Sequence, residues 1–147
     1  MAITVSIIIS MGLVAATVLI HYELLRFASK LMQERPKSSR RAILIVILIL
    51  FFAHIVEAGL YSVAFALMHT HPELGAIAGE VEGGWLDFVY FSLATYTTLG
   101  IGDLHPQGAL RLIAAVESLN GLVLIGWSAS FTYLSMERLW GDNRNGR

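Results

Sequence analysis

The sequence contains no cysteine, which excludes disulfide bonds and metal sites built from thiolates. Charged residues are also scarce, at 14% of the 147 residues, whereas a soluble domain of this length carries roughly a quarter. The mean hydropathy is +0.67. The lack of charge and the apolar character together predict an integral membrane protein.

Three apolar segments are long enough to cross a bilayer at about 1.5 Å of rise per residue. The first lies within residues 1–25 and carries no charge from Ile3 to Ile20, so we expect an anchoring or packing helix. The other two predicted spanning helices are residues 42–68 and 109–139. A basic loop, 26–41, and a short tail, 141–147, complete this division of the chain.

The two longer connecting segments carry opposite charge. Lys and Arg concentrate in residues 26–41, whereas residues 69–84 contain three Glu and no Lys or Arg. The positive-inside rule therefore predicts that the basic loop and the carboxyl-terminal tail are cytoplasmic and that the amino terminus lies outside. We expect a multi-pass protein of the plasma or inner membrane, which contacts lipid and does not bind nucleic acid.

Residues 85–98 form a fourth apolar segment, which would be roughly 20 Å long as a helix and is too short to span the bilayer. Such a segment must enter the membrane and return. Non-helical backbone at membrane depth is tolerated only where protein or water covers it. The pattern predicts a re-entrant helix whose carboxyl end, the negative end of its dipole, favours a cation.

A glycine-containing motif follows this short helix: residues 97–103 read Thr-Thr-Leu-Gly-Ile-Gly-Asp. Glycine tolerates positive φ, so its alternation with bulky residues allows successive carbonyl oxygens to point to one side. Several such strands around an axis would form rings of carbonyl oxygens that replace the water shell of a monovalent cation. The alternative is a simple glycine turn between two helices.

The motif resembles the selectivity filter of potassium channels, usually written Thr-Thr-Val-Gly-Tyr-Gly-Asp. The resemblance runs from Trp85 to about Trp140 and loosely back to Ala42. It implies an all-α membrane protein with a pore domain at 42–140, which comprises an outer helix, a pore helix, a filter at 98–103 and an inner helix. One filter strand cannot encircle an ion, so the resemblance implies a homotetramer, with K⁺ as the permeant ion and no cofactor.

The resemblance also implies roles for particular residues. The ion-binding residues would be Thr98, Leu99, Gly100, Ile101 and Gly102. The residues that support the filter would be Tyr90, Thr95, Thr97 and Asp103. Gly121 and Gly126 would be hinges at which the inner helix bends, although small residues also allow close helix packing.

Two positions depart from the family pattern. Ile101 stands where the family usually has a tyrosine whose hydroxyl stiffens the filter, so a weakly selective monovalent cation channel is an alternative. Ala94 replaces a glutamate that pairs with the filter aspartate in some relatives. We therefore hypothesise that Asp103 accepts a hydrogen bond from the hydroxyl of Tyr90.

Four polar residues lie at membrane depth: His54, Glu57, Glu117 and Asn120. Such groups are costly in the bilayer and are candidate functional residues. His54 and Glu57 share a helix face with Tyr61 and form either a structural cluster or a metal or proton site. A third ligand is missing nearby in sequence, so no structural metal is predicted. Glu117 is expected to be structural, either behind the filter near pore-helix hydroxyls such as Thr95 or facing the Glu57 group. Lining of the pore by Glu117 is the alternative.

The sequence thus predicts the pore-forming subunit of a passive potassium channel. A non-conducting membrane subunit that regulates a partner is an alternative, although it would not need the Gly-x-Gly-Asp motif. An enzyme is not expected, because His54-x-x-Glu57 lacks the second histidine of the His-Glu-x-x-His pattern.

Overall fold

The computed structural model describes residues 1–33 and 40–144, and the side chains of residues 1–33 and 40–138. In chain order, the elements are α1 (Ala2–Gln33), α2 (Arg40–His69), β1 (Ile77–Gly79), α3 (Trp85–Tyr96), β2 (Leu104–Pro106) and α4 (Leu110–Arg144).

Three of these helices confirm the membrane-protein prediction. Within the described residues, α1, α2 and the Leu110–Arg138 part of α4 are long and apolar enough to span a bilayer. The outward side of α2 is covered with exposed apolar side chains: Leu44, Ile47, Leu48, Phe51, Phe52, Ile55, Val56, Val63 and Leu67. Their exposure is favourable in lipid and unfavourable in water.

The predicted end of the first helix, residue 25, is wrong. Helix α1 continues to Gln33, because Leu25 and Ala28 are buried against Val46 and Leu50 of α2. The described parts of the expected basic loop, 26–33 and 40–41, are therefore helical, and residues 34–39 lie outside the described chain. At the other end, α4 extends through Arg144 into the expected tail, of which 145–147 are not described.

The sequence predicts no β-structure, but two short strands are present. Strand β1 pairs with β2 in antiparallel register, with Ala78 opposite His105. Gly79 has φ +120° and lies so close to the Asp103 carbonyl that a Cβ there would collide with it. Because these strands flank residues 80–103, the pairing fixes both ends of the re-entrant segment.

Helix α3 lies between α2 and α4. Its first turn is capped by Asp87, whose Oδ2 accepts hydrogen bonds from the backbone N–H groups of Gly83 and Gly84 at 2.8 and 3.2 Å. On the buried side, the rings of Phe65 and Phe91 meet edge to face at 5.0 Å. Helix α1 packs along α2 and α4, so side chains of all four helices meet in the interior.

Candidate functional site

The filter segment, residues 98–103, leaves the carboxyl end of α3 with alternating backbone conformation. The φ angle is positive at Thr98 (+60°), Gly100 (+52°) and Gly102 (+95°) but not at Leu99 or Ile101. Thr98 is the one non-glycine residue of the described chain with positive φ. The alternation expected from the motif is therefore present, and it extends to a residue that has a Cβ.

Residues 98–102 are exposed in the single chain. The side chains of Leu99 and Ile101 are 66% and 59% exposed, and a Cβ on Gly100 or Gly102 would meet no described atom within 4 Å. The segment is held to its pore helix by backbone bonds: the N–H groups of Leu99 and Gly100 donate to the Ala94 carbonyl at 2.9 and 3.2 Å.

An open concavity of about 720 Å³ separates the filter segment from α4. Its lining includes Thr95 and Gly100 on one side and Ala115 and Ser118 on the other. Within the described part of one chain, the filter segment therefore has support on the α3 side and space beside α4.

Tyr90 and Asp103, hypothesised to be hydrogen-bond partners, lie near each other. The Asp103 carboxylate raises the pKa of the exposed Tyr90 hydroxyl, because it favours the protonated phenol, and the hydrogen bond itself stays a prediction. The Asp103 backbone carbonyl also accepts a bond from the Glu80 N–H at 3.1 Å. Asp103 thus has contacts with both the pore helix and the loop before it.

Thr95 and Thr97, the two threonines predicted to support the filter, form hydrogen bonds at the end of α3. The Thr95 carbonyl accepts bonds from the Thr98 N–H at 2.9 Å and from Ser118 Oγ at 3.0 Å. The Thr97 hydroxyl donates to the Leu93 carbonyl at 2.7 Å. Both contacts stabilise the last turn of α3, from which the filter segment begins.

Glu117 is fully buried and contacts a pore-helix hydroxyl, as one of the two alternatives expected, but the hydroxyl is that of Ser92 and not of Thr95. Ser92 Oγ lies 2.5 Å from Glu117 Oε1 and 2.6 Å from the Ala58 carbonyl oxygen. A hydroxyl has one hydrogen and can donate to only one of these oxygens. It must accept from the other, which indicates that Glu117 is a neutral carboxylic acid.

A second and larger group of polar side chains surrounds Glu57. We call it the Glu57 cluster, and its members are His21, His54, Glu57, Tyr96 and Ser128. Tyr96 Oη donates to Glu57 Oε2 at 2.5 Å, and His21 Nδ1 lies 2.9 Å from Oε1. His54 Nδ1 lies 3.2 Å from Glu57 Oε2 and 2.9 Å from Tyr96 Oη. Glu57, His21 and Ser128 are buried and His54 is partly exposed.

His21 was not among the residues predicted from the sequence to form a site. In the structure it lies within α1 and is completely buried. The signal was present in the spacing. Ser10, Thr17, His21 and Leu25 follow each other at intervals of seven, four and four residues, which places them on one helix face. A polar stripe on an otherwise apolar helix indicates the side that faces protein.

Asn120 connects three helices. Its Nδ2 donates to Thr17 Oγ1 of α1 at 2.8 Å and to Tyr61 Oη of α2 at 3.2 Å. Thr17 in turn donates to a carbonyl of its own helix. Tyr61, predicted to share a face with His54 and Glu57, therefore bonds to α4 instead of the Glu57 cluster.

The two candidate hinge glycines differ in their surroundings. A Cβ on Gly121 would overlap the carbonyl oxygen of Tyr96, so this glycine permits α4 to approach the end of α3. Gly126 is exposed, and no described atom lies within 4 Å of the position of its Cβ. Helix α4 passes through both without interruption. The structure therefore favours a packing role for Gly121, while bending at Gly126 stays a prediction.

Comparison with known proteins gives the family. Residues 42–136 match the sequence model of the family described as "Ion channel". Over 51 residues, the chain is 43% identical to two-pore potassium channel 1 of Arabidopsis thaliana. Over 48 residues, it is 42% identical to the uncharacterized membrane protein YdjJ of Bacillus subtilis (strain 168).

These two aligned stretches cover 34% and 32% of this chain and 14% of each relative. No solved structure matches the chain. The family match, in contrast, covers well over half of the chain and includes α3, the filter segment and most of α2 and α4. Together with the three spanning helices, this match shows that the chain is a multi-pass membrane protein and belongs to the ion-channel family.

Proposed function

We propose that this chain is the pore-forming subunit of a tetrameric potassium channel, which conducts K⁺ passively through backbone carbonyl groups. The observation that carries the proposal is the alternating positive φ at Thr98, Gly100 and Gly102, directly after a helix too short to span the membrane. Rings of carbonyl oxygens can replace the hydration shell of the ion. The similarity to a plant two-pore potassium channel supports K⁺ as the permeant ion.

The exposure of the filter segment supports assembly. In one chain, Leu99 and Ile101 project from the surface, and an open concavity lies beside them. Four copies around an axis would enclose the pore and cover these apolar side chains. The basic residues near the α1–α2 connection support a cytoplasmic position for that end of the bundle, in a plasma or inner membrane.

A weakly selective monovalent cation channel is the second candidate, and Ile101 favours it. In potassium channels, a tyrosine at this position stiffens the filter through a hydrogen bond from its hydroxyl, and an isoleucine side chain cannot donate such a bond. The Ile101 side chain is also 59% exposed. The Ile101 carbonyl remains available, so conduction is retained in this candidate and the preference for K⁺ over Na⁺ is reduced.

Ion flux from liposomes tests both candidates. The purified full chain is reconstituted with either K⁺ or Na⁺ as the only permeant cation, and protein-free liposomes are the control. We expect flux with K⁺ and little with Na⁺. Equal flux with both ions would favour the weakly selective channel. No flux with either ion, in liposomes shown to contain folded protein, would contradict conduction by this chain alone and favour a regulatory subunit.

A further inference from the structure

Four potential metal-binding atoms converge inside the helix bundle, away from the filter segment. Donor atoms of His21, His54 and Glu57 all lie within 4.8 Å of one another. The Tyr96 oxygen is a fourth donor, 2.9 Å from His54 Nδ1 and 2.5 Å from Glu57 Oε2. The donors come from α1, α2 and α3, so the third ligand that the local sequence lacks is supplied by the fold.

The spacing of these atoms fits a small tetrahedral ion. Zinc binds imidazole nitrogen and carboxylate oxygen at about 2.0–2.2 Å, which places neighbouring donors roughly 3.3 Å apart. His21 Nδ1 is 2.9 Å from one Glu57 oxygen, and His54 Nδ1 is 3.2 Å from the other. Tyr96 Oη and Glu57 Oε2, at 2.5 Å, are the closest pair and must separate most. Side-chain shifts of up to about 1 Å would make room for the ion.

The number of hydrogens available for the bonds between Ser128 and the two histidines favours a cation among the four donor atoms. Ser128 Oγ lies 3.0 Å from His54 Nε2 and 3.3 Å from His21 Nε2. If both imidazoles are neutral and carry their hydrogen on Nδ1, both Nε2 atoms are acceptors. The Ser128 hydroxyl has one hydrogen and can donate to only one of them. If a metal ion occupies the Nδ1 side, both Nε2 atoms carry hydrogen and the two lone pairs of Ser128 accept both bonds.

We propose that the Glu57 cluster binds one divalent transition-metal ion of the zinc class. His21, His54, Glu57 and Tyr96 are its ligands, and Ser128 orients both imidazoles from the opposite side. A metal-bound histidine typically donates its other ring N–H to such an acceptor. On binding, each neutral imidazole carries its one hydrogen on Nε2 instead of Nδ1, and the Tyr96 phenol gives its proton to solvent. The ligands then carry two negative charges, which balance the ion in a low-dielectric site.

His54 is the least buried of these ligands, with 19% of its side chain exposed. The nitrogen and oxygen donors favour zinc over cations such as Ca²⁺ and Mg²⁺, which prefer oxygen ligands alone. Once bound, the ion would join α1 directly to Tyr96, the last residue of the pore helix. The site is independent of the ion that the channel conducts.

Metal analysis of the full chain tests this proposal without a flux measurement. The protein is purified in detergent, stripped with a chelator, loaded with Zn²⁺ and separated from unbound ion, and zinc per chain is measured by mass spectrometry. We expect one ion per chain in the wild type and none in His21→Asn or Glu57→Gln. In the matched controls His71→Asn and Glu73→Gln, which alter an exposed pair 3.6 Å apart, the ion is retained.

Ser128→Ala separates ligand loss from misfolding, because it keeps all four ligands. We expect it to bind Zn²⁺ about tenfold or more weakly, with its helical content unchanged. Ser128→Thr, which keeps a hydroxyl, should restore the affinity. A wild-type chain without zinc would overturn the proposal and leave a cluster held by an additional proton. Zinc retained in His21→Asn, or lost in His71→Asn, would also overturn it.

Discussion

The filter segment and the Glu57 cluster lie a few residues apart along the chain but differ in how they are built. The filter segment is exposed and its special feature is its backbone, with positive φ at every second residue. The Glu57 cluster is mainly buried, and its contacts are hydrogen bonds between side chains of four helices. Tyr96 is the member of the cluster nearest to the filter segment in sequence.

This difference shows what each region requires. Rings of carbonyl oxygens require other copies of the chain, so one subunit presents an incomplete site. A buried polar cluster must be satisfied within the subunit, because an unpaired polar group is expensive in the membrane interior. Mutations in the filter segment should therefore change conduction more than stability, and mutations behind it should change stability first.

The largest effect on conduction is expected from Gly102→Ala. Its φ of +95° is unfavourable for a residue with a Cβ, by roughly 1–2 kcal/mol, and the strain falls on the carbonyl groups that would bind the ion. K⁺ flux from liposomes should fall by roughly tenfold or more, since each 1.4 kcal/mol corresponds to a factor of about ten.

Gly83→Ala is the matched control for that substitution. Gly83 has φ +86°, is exposed and has no described atom within 4 Å of its Cβ position, but it precedes α3 and lies outside the filter segment. It should lower the unfolding temperature as much as Gly102→Ala and leave flux unchanged. Equal loss of flux in both variants would contradict a special role for the filter backbone.

Gly121→Ala should give the largest loss of stability. The added methyl group would overlap the Tyr96 carbonyl and force α4 away from α3, at a cost of about 1–3 kcal/mol. Gly126→Ala has space for the methyl group and should stabilise the helix by about 0.5–1 kcal/mol. Thermal unfolding in detergent measures both changes. If Gly126→Ala raised stability but abolished flux, bending at this position would gain support and packing alone would not explain the glycines.

Features encoded by neighbouring residues could be predicted from the sequence. The re-entrant helix, expected at 85–98, is found at Trp85–Tyr96, because its apolar length and the glycines before and after it are local signals. The alternating backbone of the filter segment follows from Gly100 and Gly102 in the same way.

Features that depend on how the helices are rotated could not be predicted. The choice of Ser92 over Thr95 as the partner of Glu117 depends on the orientation of α4 against α3. The strand pairing joins residues more than twenty positions apart, and each strand has only three residues, too few to show alternation. The polar residues at helical spacing show which face of α1 meets protein, but the pairing of His21 with Glu57 depends on how α1 packs against α2.

The same substitution at two buried carboxyl groups tests whether each group accepts or donates hydrogen bonds. Glu57 accepts hydrogen bonds on both oxygens, so in Glu57→Gln the amide N–H₂ would face another donor, at a cost of about 1–3 kcal/mol. The amide of Glu117→Gln can donate to Ser92 Oγ as the neutral acid does, so we expect a change within about 0.5 kcal/mol.

Chemical unfolding of metal-free protein in detergent would compare these two variants, with Ser92→Ala as a further test. Removal of the Ser92 hydroxyl leaves the Glu117 acid without its acceptor, and it should cost more than Glu117→Gln. A large destabilisation by Glu117→Gln would contradict the neutral acid and indicate a carboxylate that requires both oxygens.

The smallest effect is expected from Tyr90→Phe, which alters the residue beside Asp103 at the end of the filter segment. The Asp103 carboxylate raises the pKa of Tyr90, so its favourable interaction with the protonated phenol is fully present below the ordinary tyrosine pKa of 10.0 and is lost as the pH rises through the higher value in the folded protein. Asp103→Asn should therefore lower the pKa of Tyr90. Tyrosinate absorbance is followed against pH in a chain that retains Tyr90 and in the same chain with Tyr90→Phe. The difference between the two curves gives the titration of Tyr90, with Asp103 and with Asp103→Asn.

Flux at neutral pH should fall modestly in Tyr90→Phe, because the Asp103 side chain loses its contact with the pore helix while the filter backbone keeps its own bonds to Ala94. The control is Tyr133→Phe, an exposed tyrosine on α4 that is distant in sequence from the filter. If Tyr90→Phe and Tyr133→Phe conducted equally well, Asp103 would not need a side-chain partner. The filter segment would then be supported by backbone hydrogen bonds alone, whereas the Glu57 cluster is held by side-chain hydrogen bonds.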